Sequence, residues 1–210
     1  MAAISYGFIY LFAEALHVVY HINYGLSEQL SSLTFLPFAV GVVLTLLPRF
    51  YDLHIVKQEI QLGRPVEPEK KLLGFYIAAP LLAIGLWIFS ATVPPLVPNL
   101  SIWISLVALI PVGYGIVEFD SVLCAYLTDI YMAHASSANA PVAFLRAVMS
   151  GVFPLFAPHM FEVWGANYGI FFLAGLATAF CGIAAVFWGF AKRVRERSRF
   201  AGRMAEGKWK

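Results

Sequence analysis

The first apolar run of the chain, residues 4–24, carries its polar side chains on one side. On a helix with 100° per residue they fall within about 80° of arc; they are Tyr6, Tyr10, Glu14, His17, His21 and Tyr24. Glu14 stands at the midpoint of the run, where an ionisable group in a membrane helix costs about 2.5–3.5 kcal/mol. We therefore expect this stripe to face a bundle interior or a water-filled cavity, where Glu14, His17 and Tyr10 contact substrate or exchange protons.

Two other interpretations of the stripe are open. In the first, a His or Tyr neighbour pins the glutamate, and the group serves packing alone. In the second, His17 and His21 bind a metal, because imidazoles at i and i+4 share a helix face. The residues between them are Val18, Val19 and Tyr20, without the glutamate base of a chelating motif. The sequence therefore predicts no metal site and no cofactor.

The fourth apolar run contains two further acids, Glu118 and Asp120. Residues two apart on a helix are separated by about 200°, so these side chains cannot share a face. Glu118 lies on one stripe with Tyr114 and is predicted to face a cavity, whereas Asp120 is expected to meet a neighbouring helix. We assign Glu118, Tyr114 and Asp120 to a pathway for substrate or protons, with a hydrogen-bonded structural acid as the alternative for Asp120.

Arg146 lies inside the fifth apolar run, away from the other basic residues. Asp129 and Arg146 flank the same short connection between two runs. An ion pair between them would lower the cost of burying both charges and would hold the inner ends of two helices together. We predict that they form a cytoplasmic-side clamp, which could serve gating or structure alone.

The elements that position these residues follow from composition. The chain has 60% hydrophobic and 12% charged residues, against about 25% charged in soluble domains. A membrane core requires about 20 apolar residues per helix, and six such runs occur, at 4–24, 30–48, 72–94, 101–128, 138–160 and 168–191. The sequence predicts an all-α integral membrane protein with six transmembrane helices in residues 1–191. A net charge of +2 gives no indication of a nucleic-acid partner.

The basic residues predict the orientation in the membrane. Of the 14 Lys and Arg residues, all but Arg146 lie in the connection 49–71 or in the tail 192–210. Because positive charge is retained in the cytoplasm, this connection and the basic tail are predicted to be cytoplasmic. An even number of spans then puts both termini in the cytoplasm, and the plasma membrane is the expected location.

Several short motifs resemble a known family. Tyr126–Tyr131 (YLTDIY), Ala138–Ala140 (ANA), Phe144–Arg146 (FLR) and Phe153–Phe156 (FPLF) resemble the tenth and eleventh helices of fungal major facilitator superfamily transporters, in the branch of drug:proton antiporters. Phe35–Gly41 (FLPFAVG) is similar to the eighth helix of that branch. The resemblance implies the second half of a twelve-helix fold, built from two three-helix inverted repeats, with substrate bound between the halves.

The resemblance also implies a function, a transporter rather than an enzyme. Proton-coupled export of small organic compounds or drugs is expected, with Glu14 and Glu118 facing the cavity and Asp129 with Arg146 as the clamp. The expected partners are the small organic substrate, protons, membrane lipids, and a missing N-terminal half or a second copy. The alternatives are a non-transporting membrane protein or scaffold fragment and, less favoured, a channel or a membrane metalloenzyme.

Overall fold

The computed structural model describes residues 2–63, 71–94, 101–131 and 134–197, and within these ranges the chain is helical without strands. Parts of the predicted connections (64–70 and 95–100) and the end of the basic tail (198–210) lie outside the described residues. The elements are α1 (Ala2–His17), a π-helix (Val18–Asn23), α2 (Glu28–Leu33), α3 (Phe35–Leu44), α4 (Leu46–Gln61), α5 (Leu73–Thr92), α6 (Ile102–Tyr131) and α7 (Ala135–Arg197).

Four stretches of the described helices are long and apolar enough to cross a membrane: Glu28–Gln61, Leu73–Thr92, Ile102–Tyr131 and Ala135–Val186. The last has 52 residues, about 78 Å at 1.5 Å per residue, more than twice a bilayer core of roughly 30 Å. Its backbone is non-helical at Gly165, with φ 79° and ψ 156°, and we call 135–164 and 166–197 its first and second arms. The structure agrees with an all-α membrane protein, while the count of six spans stays a prediction.

Helices α2, α3 and α4 follow one another with single-residue interruptions at Thr34 and Thr45. Each interruption precedes a proline by three residues, Pro37 and Pro48. A proline removes one backbone hydrogen bond and clashes with the carbonyl four residues earlier, which disturbs the preceding turn. Both threonine hydroxyls donate to a carbonyl three residues back, at 2.6 and 2.7 Å. The prolines therefore account for the interruptions at Thr34 and Thr45.

Helix α4 extends into the predicted cytoplasmic connection. We expected the connection to begin at residue 49, but α4 continues to Gln61. It ends where Gly63 adopts φ 64° and its N–H donates to the Ile60 carbonyl at 3.1 Å, a glycine stop of the kind common at helix C-termini. The apolar run ends near Pro48, but a change from apolar to polar side chains does not by itself stop a helix.

Helix α6 lies at the centre of the bundle and approaches two neighbours closely through glycines. A Cβ on Gly113 would collide with the Phe38 backbone of α3, and one on Gly41 of α3 would collide with the backbone of α6. A Cβ on Gly115 would lie 2.6 Å from the Leu82 Cβ of α5. Because positions 113 and 115 point about 200° apart, the two glycines bring α3 and α5 against opposite sides of α6.

Phenylalanine rings connect α1, α5, α6 and the second arm of α7 in the core. Phe180 contacts Phe8 and Phe119 with ring centroids 5.8 and 5.4 Å apart. Phe119 in turn lies 4.6 Å from Phe75. By contrast, large apolar side chains on α3 and on the first arm of α7 point outward, with Leu155 83% exposed. These outer faces are suited to lipid or to another membrane helix.

Candidate functional site

Glu14 lies in α1, near the end of the helix, and is half-buried. Among the residues that the structure describes, it forms no hydrogen bond or ion pair. His17, one turn further on, is exposed, and Tyr10, one turn earlier, is half-buried. A carboxylate at this depth needs water, a ligand or another protein surface as its partner. The Glu14 carboxylate is therefore open to a binding partner from outside the described residues.

A π-helix follows the Glu14 stripe. From Val18 to Asn23 the backbone widens, and the Tyr24 N–H donates to the Val19 carbonyl at 3.0 Å. The rings of His17 and His21 stack with centroids 5.1 Å apart. His21 Nδ1 donates to the Leu26 carbonyl at 2.8 Å, which commits that ring to the local fold. Such π-helical turns are frequent at functional sites, and no sequence pattern used above predicts this one.

The π-helix and Tyr24, which follow Glu14 in the chain, are fastened to the bundle by polar contacts. The Tyr20 hydroxyl contacts Ser105 Oγ of α6 at 2.9 Å, and the Tyr24 hydroxyl donates to the Thr92 carbonyl at 3.3 Å. Asn167 Nδ2 donates to the Val93 carbonyl at 2.8 Å, so carbonyls at the end of α5 receive donors from two other segments. The sequence analysis did not identify Asn167, whose signal is a polar side chain at the edge of an apolar run.

Glu118 does not lie at an open cavity, contrary to the sequence-based expectation. Its side chain is fully buried, and Oε2 accepts from Arg49 Nη2 of α4 at 3.2 Å. Its Oε1 lies against Gly74 of α5, where a Cβ would collide with it. Tyr114, on the same stripe, is also buried. The helical wheel gives the direction in which Glu118 points, but only packing shows that α4 and α5 occupy that direction.

Arg49, Asp52 and Glu118 form a group that we call the Arg49 triad. Arg49 Nη1 contacts Asp52 Oδ2 at 3.4 Å, and the Asp52 side chain is 13% exposed. Asp52 Oδ1 and Glu118 Oε1 are buried and have no hydrogen-bond partner among the described residues. The sequence analysis missed Arg49 and Asp52 as site residues, because both lie just beyond the apolar run and were assigned to a connection.

A second ion pair lies beside the triad. Lys71 Nζ contacts Asp129 Oδ2 at 2.9 Å, with both side chains about one third exposed. A cavity of about 30 Å³ separates this pair from the triad and is lined by Arg49, Asp52, Lys71 and Asp129 together with apolar side chains. This volume exceeds the roughly 10–15 Å³ that a cavity needs to hold a water.

Arg146 and Asp129 take different partners, so the predicted ion pair between them is wrong. Arg146 Nη2 donates to Asp120 Oδ1 and to Cys124 Sγ, both on α6, whereas Asp129 accepts from Lys71. The reason is that α6 and the first arm of α7 form an antiparallel hairpin, in which residues equally far from the connection lie side by side. Positions 120 and 146 are equally far along the chain from the connection between α6 and α7, but position 129 is much closer to it. Asp120 does meet a neighbouring helix, as expected.

Known proteins similar to this chain include fungal transport proteins. It is 34% identical over 185 residues to a polyamine transporter of Saccharomyces cerevisiae, covering 86% of this chain and 29% of that protein. It is 28% identical to a major facilitator-type transporter of Penicillium rubens, covering 97% and 38% respectively. It is 28% identical to an efflux pump of Fusarium oxysporum, covering 97% and 34%.

No protein-family model matches the chain, and no solved structure does. The chain spans about a third of the length of these curated relatives. All three are named as transporters or pumps, and none is named as an enzyme. Along most of its length, the chain is similar to fungal transporters of the major facilitator type.

Proposed function

We propose that the chain forms the second half of a transporter that exports small organic compounds or drugs in exchange for protons. In this proposal six spans form two three-helix inverted repeats, with the two arms of α7 as the fifth and sixth spans. Both termini face the cytoplasm, because the basic residues cluster at 49–71 and 192–210. The plasma membrane is the proposed location.

The observation that carries the proposal is the state of Glu14. A half-buried carboxylate in an apolar helix has no partner among the described residues, and it stands one turn from an exposed His17. Such a group is costly in lipid, so its persistence favours a wet or ligand-lined pathway. In our proposal Glu14, His17 and Tyr10 line this pathway, with Glu14 exchanging protons and contacting the substrate.

The cytoplasmic side is held by ion pairs rather than by one clamp. Asp120 with Arg146 joins α6 to the first arm of α7, and Asp129 with Lys71 joins α6 to the start of α5. Because each pair crosses between two elements, both would have to shift if the helices separate at this end. We propose that they stabilise the state in which the cytoplasmic side is closed.

The proposed pathway requires a second wall. The relatives are about three times as long as this chain, and a major facilitator fold binds its substrate between two halves. An N-terminal half or a second copy would supply the opposite wall and meet the substrate together with the Glu14 stripe. We expect no vectorial transport from an isolated monomer in liposomes.

The experiment that tests the proposal is a chimaera in which this chain replaces the aligned segment of a full-length fungal relative. Yeast cells that express the chimaera are scored for drug resistance and for accumulated compound. The substitution Glu14→Gln keeps the size of the side chain but removes the titratable group, and is expected to abolish resistance. The control Glu162→Gln alters an exposed carboxylate of α7 and should have no effect.

One alternative function is a non-transporting membrane scaffold. Its supporting observation is that Glu118, the other candidate acid, is occupied in an ion pair with Arg49 that joins two helices. If the chimaera is expressed at the level of the parent relative but confers no resistance, the scaffold function is favoured. Full resistance with Glu14→Gln would instead show that Glu14 serves packing alone.

A further inference from the structure

The Arg49 triad contains one cation and two carboxylates. Arg49 spans both acids, with Nη1 at 3.4 Å from Asp52 and Nη2 at 3.2 Å from Glu118. Glu118 is fully buried and Asp52 is nearly so, whereas the Arg49 side chain is 34% exposed. Ionised acids at both positions therefore leave one excess negative charge in the part of the site with the least access to water.

The surrounding described groups do not compensate this charge. Lys71 is matched by its own partner Asp129 at 2.9 Å, and the nearby Tyr114 carries no positive charge. The first turn of α5, beside Glu118, contributes at most about half a positive charge through the helix dipole. One oxygen of each triad carboxylate is also buried without a hydrogen-bond partner among the described residues. Burying an unpaired charge is costly, and such groups usually neutralise instead.

We propose that the Arg49 triad is a proton-binding site, in which Asp52 and Glu118 share one proton while Arg49 compensates the remaining negative charge. A proton from water forms an O–H bond at Asp52 Oδ1 or Glu118 Oε1, and the net charge of the triad becomes zero. Because both acids interact with the same guanidinium, the proton belongs to the pair rather than to either residue. This site is separate from Glu14.

The structure also provides access for the proton. The cavity of about 30 Å³ is lined by Asp52 and by Asp129, whose side chain is about one third exposed, and it is large enough to hold a water. A proton can pass from the medium to Asp129, across this cavity to Asp52, and then to the buried Glu118 beside Arg49. Gly74 leaves the space in which the Glu118 carboxylate lies against α5.

The consequence for transport rests on the proposed function. Arg49 is the only described side chain whose ion pair joins α4 to α6. Protonation weakens the attraction between the acids and Arg49, so loading of the proton would loosen α4 from α6. The triad would then couple proton binding to movement at the cytoplasmic end of the half.

The binding of the proton is tested on the purified 210-residue chain in detergent micelles at pH 7 by infrared spectroscopy. A protonated carboxyl gives a carbonyl band that is separate from those of carboxylates and amides. All variants are made in a Glu14→Gln background, so that Glu14 cannot contribute. We expect a band equivalent to one protonated carboxyl per chain. Glu118→Gln and Asp52→Asn should each abolish the whole band. In either variant the remaining carboxylate and Arg49 have a net charge of zero, so no proton is needed.

The control is Asp120→Asn, which alters an acid paired one to one with Arg146 and should leave the band unchanged. Circular dichroism verifies that every variant is folded. Absence of the band in the parent, a band that survives either triad substitution, or a band removed by Asp120→Asn would each overturn the proposal. None of these results bears on Glu14 in the chimaera, so the triad and the proposed function can fail independently.

Discussion

The close contact between α3 and α6 predicts that a glycine-to-alanine substitution lowers the free energy of unfolding at one position and raises it at another. A Cβ at Gly41 would lie 2.8 Å from the Tyr114 nitrogen and would collide with the Ile110 carbonyl oxygen. These are backbone atoms of a helix, so they cannot rotate away as a side chain would. A Cβ at Gly175, in the second arm of α7, would meet nothing within 4 Å. The substitutions Gly41→Ala and Gly175→Ala therefore differ mainly in packing.

The expected magnitudes follow from two opposing terms. Replacing a helical glycine by alanine favours the helix by about 0.5–1 kcal/mol at either position. Forcing an extra carbon into a filled contact costs about 1–3 kcal/mol. Gly175→Ala should therefore stabilise the chain slightly, and the free energies of unfolding of the two variants should differ by about 1–3 kcal/mol.

Unfolding in mixed micelles with increasing dodecyl sulfate, followed by tryptophan fluorescence, measures both variants under the same conditions. Gly113→Ala provides a second test, because a Cβ there would collide with the Phe38 backbone from the other side of the same contact. If Gly41→Ala is as stable as Gly175→Ala, the close approach of α3 and α6 is refuted. The position of Arg49 beside Glu118, which depends on that packing, would then lose its support.

Three further predictions use the same unfolding assay. Asn167→Leu removes the buried donor to the end of α5, and leaving that carbonyl unsatisfied should cost about 1–3 kcal/mol; an unchanged free energy would mean that another group satisfies it. Tyr20→Phe loses the contact with Ser105 and should cost about 0.5–1.5 kcal/mol, whereas a larger loss would indicate disturbed packing. Lys71→Met should change stability by less than about 1 kcal/mol, since both partners of its ion pair are partly exposed; a cost above 2 kcal/mol would refute this.

The sequence determined the class of the protein and the depth of its polar groups. A bilayer of fixed thickness imposes a minimum length on every apolar run, so long apolar helices can be predicted from composition alone. The acids Glu14, Glu118 and Asp120 stand out for the same reason, because a charge within an apolar run is costly wherever the helix packs. The resemblance to fungal transporters was also found from short motifs.

Only the tertiary structure decided which charges meet. Glu118 pairs with Arg49, which is 69 residues away in sequence, and Asp120 rather than Asp129 pairs with Arg146. A helical wheel gives the direction of a side chain around its own axis, but not the neighbouring helix or the relative depth of the two. The neighbouring helix and the relative depth depend on how helices dock and on the register of each hairpin. Between α3 and α6, the docking follows from the close backbone contact at Gly41 and Gly113.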